Sequence, residues 1–258
     1  MKPVERRVRV NGLPCRVWEA GEGEPLGVLA GLGGLPRWSP FLERLSRSRR
    51  VIVPSLPGFP GAAGHDRLDD LMDWVSATLD LTEQAGIDGT DLVGLSVGGM
   101  LAAEVAALGR VRRLVLVAPF GLFDERDPVA DPFARKPREV PRLLSVRPEE
   151  FEALREPPDG EDAAEWMIAL ARADEAAARL LWPLGDRGLA KRLHRIRVPT
   201  LIVWGDEDRV IPPSYAERFA GAIAATATVR RIASAGHLVA VDRPDELAAA
   251  IDDFLRAW

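Results

Sequence analysis

The clearest chemical signal in the sequence is Gly94-Leu95-Ser96-Val97-Gly98, a serine between two glycines. An apolar run, Leu92-Val93, precedes it, and an alanine-rich segment with helical spacing, 100–108, follows it. A serine at a tight turn from a strand into a helix is a nucleophile elbow, with its hydroxyl exposed at the edge of a sheet. The glycines allow the sharp bend and the close approach of neighbouring elements. We therefore predict that Ser96 is a nucleophile.

A serine hydroxyl needs a base to take its proton and a third group to orient that base. The chain has three histidines. His237 comes just after the last predicted strand, so it can reach the same sheet edge as Ser96. His65 lies in a glycine-rich loop, and His194 precedes a strand toward the other edge. This pattern favours His237 as the base.

The orienting carboxylate is expected in the segment 204–212, which directly follows the apolar run Leu201-Ile202-Val203. Asp206, Glu207 and Asp208 compete for this role. On the residues alone the choice among these acids stays open, since any of them could lie at the carboxyl end of the strand.

Attack on a carbonyl also requires donors aimed at the developing oxyanion. The backbone N–H of Val97, at the start of the helix after the serine, is one candidate. The second is the N–H of Leu32, in Gly31-Leu32-Gly33-Gly34 after the apolar run 26–30. The alternative for this second segment is a plain glycine turn.

The elements that must position these groups alternate between apolar runs and helical patterns. Asn11-Gly12 is a two-residue turn signal between 4–10 and 13–20, which predicts a hairpin. Continuous apolar runs alternating with helices indicate a parallel sheet covered on both faces. Further strands are predicted at 26–30, 51–53, 92–93, 114–117, 200–204 and 228–232, and helices at 38–46, 68–85, 100–108, 214–222 and 244–255.

The pattern changes between Pro119 and Pro199. This stretch holds 10 of the 21 prolines but only 4 of the 23 glycines. No strand pattern is present, and the composition is that of a helical insertion. Helices are predicted at 148–154, 161–172, 174–181 and 188–194.

Bulk properties exclude several classes of protein. A net charge of −5 provides no basic surface for nucleic acid, and no apolar run is long enough to span a membrane. The N-terminus lacks the hydrophobic stretch of a signal peptide. A single cysteine, Cys15, excludes an internal disulfide and a multi-cysteine metal site. We therefore expect a cytoplasmic protein.

Across nearly its full length the sequence resembles the α/β-hydrolase superfamily. The resemblance rests on Gly31-Leu32-Gly33-Gly34, the segments 54–59 and 94–99, Gly205-Asp206-Glu207-Asp208 with Pro212, and Gly236-His237. It implies an α/β fold with a mostly parallel, twisted, eight-stranded sheet, helices on both faces and a helical cap inserted after the sixth strand. The implied domains are a core, residues 1–118 and 198–258, and a cap, residues 119–197.

The resemblance also implies the triad Ser96, Asp208 and His237, because the acid in such families is the last residue of a G-x-x-D pattern. Some relatives place the acid after the sixth strand instead, where Asp124, Glu125 and Asp127 stand. Neither a metal nor a cofactor is expected. Ala30 departs from the family pattern, since many relatives carry histidine there, and this bears on the geometry of the predicted oxyanion hole.

A cap over the nucleophile would enclose a substrate pocket. Aromatic side chains at helical spacing are candidates to line this pocket, although the same spacing is typical of side chains that pack inside the cap. The candidates are Leu35 and Trp38 from below, with Phe120, Phe123, Trp166 and Trp182.

The leading hypothesis is a serine hydrolase that cleaves a small, mostly apolar carboxylic ester through an acyl-enzyme. The alternative keeps the triad but hydrolyses a carbon–carbon bond in a vinylogous diketone, as in ring-cleavage pathways. The segments 192–196 and 119–122 are reminiscent of that group. Such enzymes need a polar clamp for the substrate's carboxylate, and an arginine beneath the cap could serve, although the abundance of arginine leaves the choice of residue open. A third hypothesis is a non-catalytic ligand-binding member of the fold. The expected partner is a small-molecule substrate, and a homo-oligomer stays open.

Overall fold

The computed structural model describes residues 2–258, which form one mixed sheet with helices on both faces. Its strands are β1 (Val4–Val10), β2 (Leu13–Ala20), β3 (Pro25–Leu29), β4 (Arg50–Pro54), β5 (Asp91–Leu95), β6 (Leu114–Val117), β7 (Thr200–Gly205) and β8 (Ala227–Ile232). Its α-helices are α1 (Pro40–Leu45), α2 (Leu71–Ala85), α3 (Ser96–Ala107), α4 (Val140–Leu144), α5 (Pro148–Arg155), α6 (Ala163–Leu181), α7 (Tyr215–Ala222), α8 (Val239–Asp242) and α9 (Pro244–Ala257).

The strands form a single eight-stranded sheet in the order β1-β2-β4-β3-β5-β6-β7-β8. The first two strands pair as an antiparallel hairpin, as predicted, with Asn11 and Gly12 both at positive φ in its turn. β2 also runs antiparallel to β4, and all remaining pairs are parallel. The predicted eight-stranded, mostly parallel α/β fold is therefore confirmed.

Alternate residues of the central strands enter two separate apolar cores, one on each face of the sheet. In β6, Leu114 and Leu116 pack in the core that includes residues of α2, α3 and α7. Val115 and Val117 pack in the other core, against α1 and α9. Because both faces are covered, the parallel strands are apolar at nearly every position, which is why the sequence shows them as continuous runs.

The two ends of β5 differ in their chemistry. At its amino end, the carboxylate of Asp91 is fully buried and accepts hydrogen bonds from Arg112 and Arg113. Burial alone would raise the pKa of Asp91, but the hydrogen bonds from Arg113 and Arg112 outweigh it and hold the pKa below its ordinary value. At its carboxyl end, β5 leads directly into Ser96. The buried ion pairs therefore lie at the opposite sheet edge from the predicted nucleophile.

Residues 119–197 contain helices and loops and no strand. The two helices predicted at 161–172 and 174–181 are one continuous helix, α6, because nothing between them breaks the helical hydrogen bonding. The helix predicted at 188–194 is instead a pair of short 3-10 turns. The short helices α4 and α8 were not predicted. A membrane-spanning helix is absent from the described part of the chain.

Candidate active site

Ser96 lies at the turn between β5 and α3. Its backbone φ is +52°, in the left-handed region that residues other than glycine rarely adopt. The packing around this turn leaves no room for side chains on the flanking glycines. A Cβ at Gly98 would lie 2.3 Å from the Ala30 carbonyl oxygen, and a Cβ at Gly94 would lie 2.6 Å from the Gly98 carbonyl oxygen. The positive φ of Ser96 is a strained backbone conformation, and such strain persists only where the surrounding structure enforces it. The G-x-S-x-G pattern is therefore required by steric fit.

We expect Gly98→Ala to destabilise the protein by about 1–3 kcal/mol, the usual cost of overpacking a tight site, or to prevent folding. The reason is that its new methyl group would meet backbone, which cannot move aside cheaply. Thermal and urea unfolding measure this effect. The matched control is Gly221→Ala, because Gly221 lies on α7 with nothing within 4 Å of the place where its Cβ would stand. Equal unfolding free energies for the two variants would contradict the steric argument.

His237 follows β8 and brings its imidazole to the elbow. Its Nε2 lies 2.7 Å from Ser96 Oγ, and its side chain is completely buried. The ring of Phe120 packs edge-on against it, with the ring centroids 5.5 Å apart. The other two histidines lie elsewhere, His65 with its Nε2 3.5 Å from a Glu175 carboxylate oxygen and His194 exposed on a 3-10 turn. His237 is thus the histidine that the fold brings to Ser96.

Asp208 completes a hydrogen-bonded chain of three side chains. Its Oδ2 lies 2.9 Å from His237 Nδ1, and its Oδ1 accepts the backbone N–H groups of Val210 and Ile211 at 2.8 and 3.0 Å. The carboxylate is thereby held from both sides. A proton on Nδ1 would donate to Asp208 and leave the Nε2 lone pair directed at Ser96 Oγ.

The other candidate acids lie away from the imidazole. Asp206 and Glu207 are exposed and pair with Arg231 and Arg209. In the loop after β6, Asp124 and Asp127 pair with Arg218, while Glu125 is exposed. Of the acids that the sequence left in competition, the structure therefore brings Asp208 alone to His237.

The two predicted oxyanion donors lie on either side of Ser96. A Cβ at Gly31 would lie 2.9 Å from Ser96 Cβ, so the loop that carries Leu32 packs directly against the nucleophile. Val97 is the second residue of α3, where backbone N–H groups have no partner within the helix. Within residues 2–258, no hydrogen bond is found for the N–H of either Leu32 or Val97. Both amides are therefore available to a ligand oxygen, and their role stays a prediction.

A cavity of about 70 Å³ opens beside Ser96 and His237. Its lining combines three parts of the chain: the loop after β3, the helix α5, and the segment that follows His237. These parts contribute Gly31–Arg37 and Ser39, then Phe151, Leu154 and Arg155, and finally Leu238–Val241, together with Leu95 and Val117.

Most of the predicted pocket residues lie outside this lining, and only Leu35 is part of it. Trp38 packs edge-on against Trp18 and donates its Nε1–H to Glu43. Phe120 supports His237 from the side, and with Phe123 it lines a second, much smaller cavity of about 10 Å³. The structure therefore places these residues outside the lining of the cavity at Ser96, and their role as substrate contacts stays a prediction.

The two tryptophans of the helical segment also lie outside the cavity. Trp166 donates its Nε1–H to the carbonyl oxygen of Arg155, which satisfies its one polar atom. Trp182 is 60% exposed at the end of α6. One tryptophan thus packs against its own segment and the other faces solvent, and their role in a substrate pocket stays a prediction.

Sequence reasoning missed most of the side chains that line the cavity. Leu238–Val241 directly follow His237, so the apolar run after the predicted base was an available signal. Phe151, Leu154 and Arg155 lie on α5, a helix that was predicted but whose orientation was not. Arg37 is a further unpredicted side chain, and it carries positive charge to the same cavity.

A sequence model of the alpha/beta hydrolase family matches residues 28–250. This chain belongs to that family. The 2-hydroxymuconate semialdehyde hydrolase of Pseudomonas sp. (strain CF600) is 29% identical over 290 residues, covering 98% of this chain and 94% of the relative. A dihydrolipoyllysine-residue acetyltransferase component of the acetoin cleaving system from Pseudomonas putida is 30% identical over 277 residues, covering 98% of this chain and 70% of the relative.

Among solved structures, a serine hydrolase involved in carbazole degradation, the CarC enzyme, superimposes with a TM-score of 0.78. It is 26% identical, and the match covers 99% of this chain and all of the other. The predicted superfamily and the broad class of hydrolase are therefore confirmed.

Proposed function

We propose that this α/β hydrolase uses Ser96, His237 and Asp208 as a catalytic triad to hydrolyse a carbon–carbon bond in an anionic ring-fission product, a vinylogous diketone. The single observation that carries the proposal is the hydrogen-bonded chain from Asp208 through His237 to Ser96, opening into a cavity that arginines line. A relative that hydrolyses 2-hydroxy-6-oxo-2,4-heptadienoate supports this bond over the ester that the sequence alone favoured.

In the proposed reaction Ser96 Oγ attacks the ketone carbon while His237 takes its proton. The carbonyl oxygen becomes an oxyanion, which the N–H groups of Leu32 and Val97 stabilise. Collapse of this adduct breaks the carbon–carbon bond, and the electron pair passes into the conjugated enone of the vinylogous diketone. This forms a dienolate, which takes the proton from the imidazolium. Water, deprotonated by His237, then releases the acyl group from Ser96 as a carboxylic acid.

Two arginines at the cavity supply the charge that an anionic substrate requires. Arg155 donates to Asp174 at 2.9 Å and keeps a second nitrogen, Nη1, 2.8 Å from where a Cβ on Gly33 would stand. Arg37 donates to the carbonyl oxygen of Glu156, and its Nε is buried without a hydrogen-bond partner within residues 2–258. Guanidinium groups bind carboxylates through charge-assisted hydrogen bonds. Both side chains are therefore candidates to hold the substrate's carboxylate.

We further propose that residues 119–197 act as the cap of this enzyme. The support is that α5, within this segment, contributes Phe151, Leu154 and Arg155 to the cavity at Ser96. Contacts such as Arg155 to Asp174 hold α5 against α6. Substrate would therefore be enclosed between this segment and the sheet edge.

The test is to mix the protein with a yellow dienolate ring-fission product and to follow its bleaching, alongside a series of short p-nitrophenyl esters. We expect rapid bleaching and slower ester turnover. Ester hydrolysis is the second candidate function, favoured by the aliphatic and glycine residues that make up most of the lining. Efficient ester turnover without bleaching would select it and reject the carbon–carbon reaction.

Arg155→Gln should raise KM for the dienolate by about 10- to 100-fold, because a charge-assisted hydrogen bond contributes about 1.5–3 kcal/mol. Turnover of a neutral ester should change little, because it has no carboxylate to hold. Arg172→Gln is the matched control, since Arg172 is exposed on α6. An equal rise in KM for both substrates would instead indicate a general disturbance of the pocket.

A further inference from the structure

Asp242 is a buried carboxylate that the proposed reaction does not use. It lies at the end of α8, shortly after His237, and has no exposed surface. Within residues 2–258 its hydrogen bonds all come from uncharged donors, three backbone N–H groups and one hydroxyl. Burying a carboxylate is costly unless hydrogen bonds satisfy it, so these donors must be held in place for the fold to tolerate the charge.

These donors belong to two different parts of the chain. Oδ2 accepts the N–H of Gly236, the residue directly before His237, at 2.7 Å. Oδ1 accepts the Ser145 hydroxyl and, at 3.2 Å, the N–H of Arg147, while the N–H of Val146 lies 3.3 Å from Oδ2. The segment 145–147 links α4 to α5, the helix that lines the cavity. The Asp242 carboxylate thus links, by hydrogen bonds, the loop that carries His237 (the histidine loop) to the start of α5.

The junction between these two parts is closely packed. The Leu238 N–H, directly after His237, donates to the Leu144 carbonyl oxygen at 2.9 Å. A Cβ at Gly236 would lie 3.1 Å from that same oxygen and 3.3 Å from Asp242 Oδ2. His237 is therefore held by hydrogen bonds from the backbone N–H groups immediately before and after it. The stronger, charge-assisted one is the bond that the carboxylate of Asp242 accepts from Gly236.

We propose that Asp242 is a positioning residue that sets the imidazole of His237 for proton transfer with Ser96, acting through the Gly236 N–H. The inference rests on the proposed function, in which His237 is the base. The carboxylate accepts from all its neighbours at once, which a neutral side chain of the same size cannot do. Asparagine there would turn an N–H₂ group toward N–H donors and leave at least one of them without an acceptor.

The test compares Asp242→Asn with the wild type by the rate at which a small fluorophosphonate labels Ser96, and by kcat and KM for whichever substrate the wild type turns over. The expected result is that labelling rate and kcat both fall by about 10- to 100-fold, because small misplacements of reacting groups have effects of that size. KM should change by less than about threefold, since Asp242 does not line the cavity. An unchanged labelling rate with a raised KM would overturn the proposal and show that Asp242 only holds α5 in its place at the cavity.

Asp91→Asn is the matched control, because Asp91 is equally buried but lies at the opposite sheet edge. It should lower the melting temperature while the labelling rate stays at the wild-type level. A drop in labelling for Asp91→Asn equal to that for Asp242→Asn would also overturn the positioning role. Labelling of the wild type that Ser96→Ala abolishes establishes the reactive serine separately, so failure of this inference is distinguishable from failure of the proposed function.

Gly236→Ala serves if Asp242→Asn does not fold. It leaves the carboxylate in place, but its methyl group crowds Asp242 Oδ2 and the Leu144 carbonyl oxygen. We expect a folded variant, judged by circular dichroism, with labelling slowed by about 3- to 10-fold because the histidine loop shifts by tenths of an ångström. Wild-type labelling in this variant would contradict the proposal.

Discussion

Replacing Ser96 with alanine should abolish turnover of both the dienolate and the p-nitrophenyl esters, lowering kcat by about 10⁴- to 10⁶-fold as loss of a nucleophile does in such triads. The reason is that, among residues 2–258, Ser96 has the one hydroxyl on the hydrogen-bonded chain from Asp208 through His237. Fluorophosphonate labelling, read by intact-protein mass spectrometry, should disappear together with turnover.

Ser55→Ala is the matched control for this prediction. Ser55 is also buried, but its hydroxyl donates to the Pro60 carbonyl oxygen, away from the triad. Its variant should keep turnover within a few-fold of the wild type. If Ser96→Ala retains wild-type turnover of every substrate tested, the serine mechanism and the assignment of the elbow both fail.

Asp208→Asn should lower kcat by about 10⁴-fold while leaving the fold intact. The asparagine oxygen can still accept the N–H groups of Val210 and Ile211, so the loop should keep its shape. Its amide nitrogen would then face His237 Nδ1 and favour the tautomer in which Nε2 carries the proton. In that tautomer His237 cannot accept the proton of Ser96. Steady-state kinetics with a thermal melt of the same sample measure both parts of the prediction.

Asp206→Asn is the control, because Asp206 is exposed on the same loop and pairs with Arg231. It should turn over substrate at the wild-type rate. A large loss in Asp206→Asn with near-normal kinetics in Asp208→Asn would reverse the choice of acid and contradict the hydrogen-bond geometry.

The order of strands and helices was predictable because it depends on short-range patterns. Buried parallel strands are apolar at nearly every position, and Asn11-Gly12 specifies a two-residue hairpin turn, so both appear directly in the sequence. Helix ends were less certain, as with α6, which the sequence divided in two. The unpredicted helices α4 and α8 are only five and four residues long, too short for a periodic pattern to appear.

The pocket was not predictable, because its lining depends on how helices without strong sequence signals pack over the sheet edge. Trp166 and Trp182 are large and apolar, yet one satisfies its N–H on the Arg155 backbone and the other faces solvent. Leu238–Val241 line the cavity because the chain turns into α8 straight after His237. Nothing local in the sequence specifies either outcome.

The sequence by itself was enough to predict the nucleophile and the base of this protein, since a serine between two glycines at a strand end requires a specific backbone turn and only one histidine follows a strand at the same edge. The tertiary structure decided which of several neighbouring acids faces that histidine, and it revealed Asp242 and the arginines at the cavity. The physical reason is how far apart along the sequence the interacting residues lie. Backbone conformation and strand order depend on neighbouring residues, whereas hydrogen bonds such as those from Gly236 and Ser145 to Asp242 join segments that only the packed fold brings together.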